Sequence, residues 1–409
     1  MQKFFKNKDL QKRILFTLAF LLVFRIVSFI PVPFVNKEAL KAISKVGAIA
    51  YVSMFSGGAL SNFTIMATGI SSYISASIIV QLLTYGVQRF HDLAKSPGGD
   101  RVIKKITIIL GIISSFVISL GTTITLQRTF NILTNYSWYV FFLIAIIHSA
   151  GTGFAVWIGE TITKKGFGNG VSLLILVNIV SNIPNMIMNT KESLANESLS
   201  DIGLGICLII IIFVGFGIVV FDKSERQIKI KYTKAIARGK TSFGSTSGYL
   251  PIKLNMSGVM PIIFASTIMQ LITIISSTVS GGEANKWIAH GTIGNGIIMA
   301  GLIFFFSYFY NALIFNPMEI SNNIQSNGGV IPGIRPGLAT GEYIKKINQS
   351  LTFFGSIYLA IIALIPSIVF AKIGFNGLAT TSLMILVGVG IEISEKIKLE
   401  LETGVLGGF

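Results

Sequence analysis

The chain has 409 residues, of which 52% are hydrophobic and 12% carry a charge. The charged share is about half of that in a soluble globular protein, so too few polar side chains exist to cover a water-soluble surface. Cys207 is the single cysteine, which excludes an intramolecular disulfide and a cysteine-rich metal site. The composition predicts a membrane protein with several spans, whose orientation should follow from the formal net charge of +16.

Apolar segments long enough to cross a bilayer as helices, at roughly 20 residues each, recur along the whole chain. In chain order they are 13–31, 69–88, 104–126, 137–158, 170–188, 202–221, 255–277, 294–315, 350–369 and 376–394. A shorter, glycine-rich apolar stretch at 54–68 precedes the second segment and is typical of a half-inserted loop. The sequence therefore predicts an all-α membrane protein with ten transmembrane helices.

The basic residues are distributed unevenly between the connecting segments. If the N-terminus is cytoplasmic, by far the larger share of the 33 Lys and Arg residues falls on the cytoplasmic side. The positive-inside rule favours this orientation, and an even number of spans returns the C-terminus to the same side. We therefore expect a multi-pass protein of the plasma membrane with both termini in the cytoplasm.

Two of the predicted cytoplasmic segments, 222–254 and 316–349, are longer than ordinary connections, which indicates a function of their own. The first alternates polar and apolar residues up to Tyr232, which predicts a strand of a hairpin. The second contains GGVIPGIRPG, whose glycines and prolines are incompatible with a helix and should leave Arg335 exposed at a tip. Two interpretations stay open, a basic surface near anionic lipid headgroups and a docking surface for another protein.

Motifs of enzymes and ion-coupled transporters are missing from the sequence. Gly239-Lys240-Thr241 resembles the end of a phosphate-binding loop, but the upstream glycine is replaced by Lys234. The three histidines have no ligand-like spacing, and paired carboxylates inside the spans, which would favour ion coupling, do not occur. Arg25 is the clearest ionisable residue within a span. We expect no enzyme activity, cofactor, metal or DNA binding, while a transporter of a neutral solute stays an alternative.

Small and hydroxylated side chains concentrate in the second and seventh predicted spans. They include Ser75 and Gln81 in one and Asn255 and Thr267 in the other. Such side chains let helices approach closely. One interpretation is ordinary helix packing. The other is a seam between two helices that stays closed at rest and parts to admit another apolar helix.

Five blocks of sequence, distributed over nearly the whole chain, resemble one known family. They are MFSGGALSNFTIMATGISSYISASIIVQLLT (54–84), ITKKGFGNGVSLLIL (162–176), YLPIKLNMSGVMPIIFAS (249–266), NPMEISNNIQSNGGVIPGIRPG (316–337) and TSLMIL (381–386). The chain is similar to the SecY/Sec61-alpha family, the channel subunits of protein translocases. The resemblance implies two inverted five-helix halves, here residues 1–190 and 191–409, around a central hourglass pore.

The resemblance also implies roles for individual residues. Six isoleucines match a ring that constricts the pore at mid-membrane, and we call them the isoleucine ring: Ile70, Ile74, Ile175, Ile179, Ile263 and Ile385. Residues 57–68 match the plug, a short helix that blocks the closed pore, with Gly57, Gly58, Leu60, Phe63 and Ile65 as its candidate residues. The polar faces of the second and seventh spans match the lateral gate. Without the resemblance, isoleucines at this spacing would indicate core packing.

The two long cytoplasmic segments match the surfaces that dock the SecA motor and the ribosome, which makes Arg238, Lys240 and Arg335 candidate docking residues. The resemblance further implies SecE and SecG as companion subunits, and signal sequences and preproteins as cargo. The implied function is passage of unfolded preproteins across the bacterial plasma membrane, with lateral release of apolar segments into lipid. Ser71-Ser72, where the family commonly has a proline, and an acidic C-terminal tail keep open an accessory paralogue with few substrates.

Overall fold

A computed structural model of the protein describes residues 8–36, 57–60, 62–134, 137–195, 200–232, 246–279, 292–373 and 380–406. The helices of this part of the chain are α1 (Lys8–Val27), α2 (Gly69–Gly86), α3 (Gln88–Lys95), α4 (Gly99–Phe130), α5 (Trp138–Lys165), α6 (Gly170–Ala195), α7 (Asp201–Lys223), α8 (Met260–Val279), α9 (Ile293–Ile314), α10 (Pro317–Ser326), α11 (Leu338–Ile373) and α12 (Thr380–Leu406). Apart from the short α3 and α10, each overlaps one predicted span. The prediction of a helical membrane protein is confirmed.

Several of these helices have the length and composition of membrane spans. Within the described residues α4, α5, α7, α9 and α11 are long and apolar enough to cross a bilayer, and α2 with α3 forms a sixth candidate bent by 98°. The outward face of α7 is strongly apolar and exposed, since Ile209 and Phe213 are 69% and 75% exposed. Large apolar side chains on such a face are suited to contact with lipid.

Helix starts and ends follow local sequence signals. Ser200 caps α7 by accepting a hydrogen bond from the Gly203 amide at 3.0 Å, and Thr292 caps α9 in the same way. Asn316 caps α10, whose first position is Pro317, a residue that has no amide hydrogen to leave unpaired there. These caps set where the chain enters the bundle from each connecting segment.

The described parts of the two long segments predicted to be cytoplasmic form one small subdomain. Strand β1 (Glu225–Tyr232) pairs antiparallel with β2 (Thr246–Lys253), and β3 (Gly329–Val330) joins the other edge of β1. The predicted hairpin strand is confirmed. The second segment is only partly a loop, because α10 and the first turns of α11 occupy most of it. The core of the subdomain consists of buried apolar side chains from both parts of the chain: Ile228, Ile230, Ile252, Phe315, Ile324, Ile331 and Ile344.

Helices before residue 196 pack against helices after residue 200 mainly at two places. At one, α2 and α4 contact α8, and at the other α6 contacts α12. The remaining helix packing is mostly within each group, as between α4 and α5 or between α9 and α11. The bundle therefore has two principal lines of contact between its two groups of helices, and the candidate site lies between them.

A buried group of hydroxyls joins α2, α4 and α5. Thr152 Oγ1 lies 2.9 Å from Ser115 Oγ and 3.2 Å from Thr68 Oγ1, and it donates to the Gly69 carbonyl at 3.1 Å. Thr152 and Ser115 are both 0% exposed. Since buried hydroxyls need partners, this group fixes the start of α2 against α4 and α5.

We expect Thr152→Val to lower the free energy of unfolding by about 1–3 kcal/mol, because it keeps the side-chain shape but leaves buried partners without their hydrogen bonds. Denaturant unfolding in detergent micelles measures the change. Thr161→Val is the matched control, because Thr161 lies on the same helix, is only half-buried and donates to the Trp157 carbonyl of its own helix. An equally large loss in the control would contradict the role assigned to the buried group.

Candidate functional site

All six residues of the isoleucine ring are buried, and each is at most 7% exposed. They belong to one hydrophobic cluster, to which α2 and α6 contribute two each and α8 and α12 one each. These are the helices that form the two principal contacts between the groups of helices. The structure therefore brings the six side chains together where the two groups meet, rather than scattering them toward lipid.

A cavity of about 20 Å³ lies within the ring. Its lining consists of ring members and of polar side chains from α2 and α8: Ile70, Ser71, Ile74, Ile175, Ile263, Ser266, Thr267, Gln270 and Ile385. Ile179 belongs to the same hydrophobic cluster but does not line this cavity. A volume of this size holds about one water molecule, so the passage is shut to anything larger.

A larger cavity of about 210 Å³, which we call the vestibule, adjoins the ring. Ile74, Ile175 and Ile263 line both cavities, so the vestibule ends at the ring. Met260, in the first turn of α8, also lines it, which puts the vestibule on the same side of the bundle as the β-hairpin. An apolar constriction thus closes one end of a partly polar chamber.

Polar side chains line the rest of the vestibule. They include Gln81 on α2, Lys104 on α4 and Glu160 on α5. Glu160 Oε1 lies 3.2 Å from Lys104 Nζ, and Glu160 Oε2 lies 3.4 Å from Lys164 Nζ. Of these two lysines only Lys104 lines the vestibule, so the wall carries an ion pair between Lys104 and Glu160. The chamber therefore suits water and polar chain segments, in contrast to the ring.

The predicted plug, residues 57–68, lies against the ring but is not a helix in its described residues, 57–60 and 62–68. They form a series of turns, because Gly57, Gly58 and Phe63 have positive φ angles of 65°, 83° and 46°, which interrupt a right-handed helix. Ala59 packs in the same cluster as the isoleucine ring. The expectation of a short helix here is therefore wrong for these residues.

The second part of the plug segment is attached to its surroundings by backbone contacts. The Val32 amide donates to the Phe63 carbonyl at 3.1 Å, and the Ile65 amide donates to the Ile30 carbonyl at 3.0 Å. Gly151 on α5 packs so closely that a methyl group there would overlap the Ile65 carbonyl. Phe63 and Ile65 are thus fixed to neighbouring elements, whereas Gly57 lies beside Asn178, the residue before Ile179 of the ring.

The four candidate gate residues form hydrogen bonds within their own group of helices. Ser75 Oγ donates to the Ser71 carbonyl, and Gln81 Nε2 donates to Ser77 Oγ, all on α2. Thr267 Oγ1 donates to the Ile263 carbonyl within α8. Because these bonds do not cross from α2 to α8, separating the two helices would leave them intact.

Asn255 lies apart from the other candidate gate residues. It precedes α8, and its Nδ2 donates to Asp222 Oδ1 at 2.7 Å and to the Gly258 carbonyl at 3.0 Å. It also lines a small polar cavity with Ser307 of α9 and Thr352 of α11. Asn255 therefore ties the start of α8 to α7 instead of facing α2.

Arg335 is exposed in the turn that joins β3 to α11, as predicted for a tip. Its backbone carbonyl accepts a hydrogen bond from Thr340 Oγ1 at 2.9 Å, which fixes the loop while the guanidinium stays in solvent. Arg238 and Lys240, the other candidate docking residues, lie outside the described residues.

Sequence reasoning missed the polar wall of the vestibule and the contacts of Arg25. Lys104, Glu160 and Tyr310 lie far apart in the chain, and no spacing in the sequence indicates that they line one chamber. Arg25 stood out as a charge in an apolar helix, but its partner, the Gly57 carbonyl, is a backbone group that leaves no signal in the sequence.

Together, the helical bundle and the apolar ring beneath a polar vestibule define a membrane channel. The family model described as SecY matches residues 64–394. The protein translocase subunit SecY of Bacillus subtilis is 36% identical over 418 residues, which cover 98% of this chain and 96% of that protein. The chain belongs to the SecY family. It is a channel subunit for protein translocation and not an enzyme.

Solved structures agree on the fold. A protein-conducting channel superposes with a TM-score of 0.71 at 19% identity, covering 96% of this chain and 91% of that chain. Sec61 in a canine ribosome–channel complex superposes with a TM-score of 0.67 at 17% identity, covering 97% of this chain and 94% of that chain. The ten-helix layout in two inverted halves fits this chain. The full-length match to translocase subunits does not favour the accessory paralogue.

Proposed function

We propose that the chain passes unfolded preproteins across the bacterial plasma membrane through the isoleucine ring. The single observation that carries this proposal is the convergence of six buried isoleucines from α2, α6, α8 and α12 below a polar vestibule. The two halves are residues 1–190 and 191–409, and the pore axis runs between them. A polypeptide enters from the vestibule and crosses the ring.

The ring acts as a seal in this proposal. A constriction lined by aliphatic side chains excludes ions because water leaves a narrow apolar passage. Isoleucine side chains have no directional hydrogen bonds, so the ring can widen around chains of different sequence and close again. The plug segment, residues 57–68, would support the seal from the side of the ring opposite the vestibule, and Ala59 belongs to the same hydrophobic cluster as the ring.

The α2–α8 contact is the proposed lateral gate. Separating these helices exposes apolar surface, which costs about 25 cal/mol per Å². An apolar segment of the cargo that inserts between them covers the same surface and offsets that cost. A polar segment cannot cover this apolar surface favourably. The gate thereby distinguishes cargo segments that enter the lipid from those that cross the membrane. Ser75, Gln81 and Thr267 are the proposed gate residues, and Asn255 positions the start of α8.

The subdomain formed by the β-hairpin, α10 and the Arg335 turn is the proposed docking surface for SecA and the ribosome. Its exposed arginine and the neighbouring basic residues can bind acidic protein patches or ribosomal RNA phosphates through charge. The same basic side would face the cytoplasm and its anionic lipids, with both termini on that side. SecE and SecG are the proposed companion subunits.

A reconstituted system tests the function. The chain is incorporated with SecE and SecG into liposomes, and SecA, ATP and a radiolabelled preprotein are added. Protease protection of the full-length preprotein is the expected result, and its loss without ATP is the control. Gradient-driven accumulation of a small neutral solute without SecA, in place of preprotein protection, would instead support the transporter alternative.

A further inference from the structure

Arg25 is a charged residue on an otherwise apolar stretch of α1. It lies in the last turn of the helix and is half-buried. A charge at membrane depth is costly and is therefore a reason to look for a function and a specific partner. The negative end of the α1 dipole stabilises a cation in the last turn but does not supply a hydrogen-bond acceptor by itself.

The acceptor comes from the start of the plug segment. Arg25 Nη1 donates to the Gly57 carbonyl at 3.2 Å, and the guanidinium carbon lies 4.3 Å from the centre of the Phe29 ring. The hydrogen bond joins residues 32 positions apart in sequence, and the aromatic face adds a favourable cation–π contact. The charge is thus directed at the plug segment and not into lipid.

Gly57 is also in contact with α6. A Cβ at Gly57 would lie 3.0 Å from Asn178 Oδ1 and 3.2 Å from Arg25 Nη1, so the glycine fits between these two side chains without space for a larger residue. Its φ angle of 65° further disfavours any residue with a side chain. Asn178 directly precedes Ile179 of the isoleucine ring, which places this contact beside the ring.

We propose that Arg25 and Asn178 are positioning residues that hold Gly57–Leu60 against the closed isoleucine ring. This inference rests on the proposed role of residues 57–68 as the plug. Arg25 acts through its hydrogen bond to the Gly57 carbonyl, and Asn178 acts by enclosing Gly57 from the side of α6.

The positive charge of Arg25 needs a hydrogen-bond acceptor, and two arrangements of the plug segment and the pore provide one. With the pore closed and dry, the guanidinium is satisfied by the Gly57 carbonyl. With the plug segment displaced and the pore wet, water satisfies it instead. A displaced plug in a dry pore would leave the charge without an acceptor, and that state is strongly disfavoured. Displacement of the plug segment is thereby coupled to hydration of the pore.

Thiol labelling tests the proposal. The parent protein carries Leu60→Cys and Cys207→Ala, and a membrane-impermeant thiol reagent is added to cells or right-side-out vesicles. Leu60 is 6% exposed, so the parent should react slowly. Arg25→Gln should raise the labelling rate about tenfold, equivalent to ~1.4 kcal/mol. Arg25→Lys, which keeps the charge with a shorter reach, should restore part of the protection.

Arg13→Gln is the matched control, because Arg13 lies on the same helix and pairs with Asp9 instead of the plug segment. Unchanged labelling in Arg25→Gln, or an equal increase in Arg13→Gln, would overturn the proposal. If Arg25→Gln does not assemble, Gly57→Ala is used in its place. The labelling rate should again rise about tenfold, and an unchanged rate would overturn the proposal. Preprotein protection by the parent is measured in parallel, so failure of the proposed function is seen separately from failure of this contact.

Discussion

Replacing Ile74 and Ile263 together by asparagine should make the resting channel conduct ions. Both side chains line the cavity within the ring, one from each group of helices. A buried amide without a partner costs about 1–3 kcal/mol, and water entering the ring removes this cost. The apolar seal would therefore become hydrated. We expect the resting conductance in planar bilayers to rise at least about tenfold, which corresponds to ~1.4 kcal/mol.

Two comparisons make this experiment specific. Ile74→Leu with Ile263→Leu keeps the apolar lining and the side-chain volume, so its conductance should stay at the level of the unmodified channel. Ile79→Asn introduces the same amide on α2 at a position that is 50% exposed and outside the ring. An increase in conductance confined to the ring variant supports the seal. Unchanged conductance in the double asparagine variant would refute it.

Arg335→Glu should abolish SecA-driven export while the protein still assembles in the membrane. The side chain is exposed at the end of a turn whose backbone is fixed by Thr340, so the substitution changes the surface charge without disturbing buried contacts. A like-charge contact with an acidic partner costs several kcal/mol. We expect the rate of preprotein protection to fall about a hundredfold or more, which corresponds to ~2.8 kcal/mol.

Arg89→Glu is the matched charge reversal, because Arg89 is also exposed but lies on α3 in the other half of the chain. It should have little effect on export. Membrane extraction and detergent gel filtration show whether each variant is inserted and assembled. Normal export by Arg335→Glu would refute the docking role, and equal losses in both variants would indicate a general effect of charge on the cytoplasmic side.

The candidate gate residues lie on both helices of the proposed gate, but they do not bond the two helices to each other. Ser75, Gln81 and Thr267 lie on α2 and α8, but their hydrogen bonds stay within each helix. The contact between the helices therefore depends on packing, which a passing apolar helix can replace. Direct hydrogen bonds between α2 and α8 would have to be broken at every opening and would slow it.

Hydropathy located the helices well but not their ends. The prediction placed the third span at 104–126 and the ninth at 350–369, whereas α4 begins at Gly99 and α11 at Leu338. Hydropathy responds to the apolar part of a helix, and both helices continue into polar sequence that it does not detect. The same limit made 316–349 look like a loop, although α10 and α11 occupy much of it.

The sequence by itself determined the class of fold, the number of spans and the hairpin strand ending at Tyr232. These depend on local composition and periodicity, which are properties of one continuous segment of the chain. Its resemblance to a family also selected the isoleucines, which spacing alone would have assigned to ordinary packing. Only the tertiary structure decided that these six side chains converge, that the plug segment forms turns, and that Arg25 binds the Gly57 carbonyl. Those features arise between residues far apart in the chain, and the sequence pattern around each residue carries no information about its distant partner.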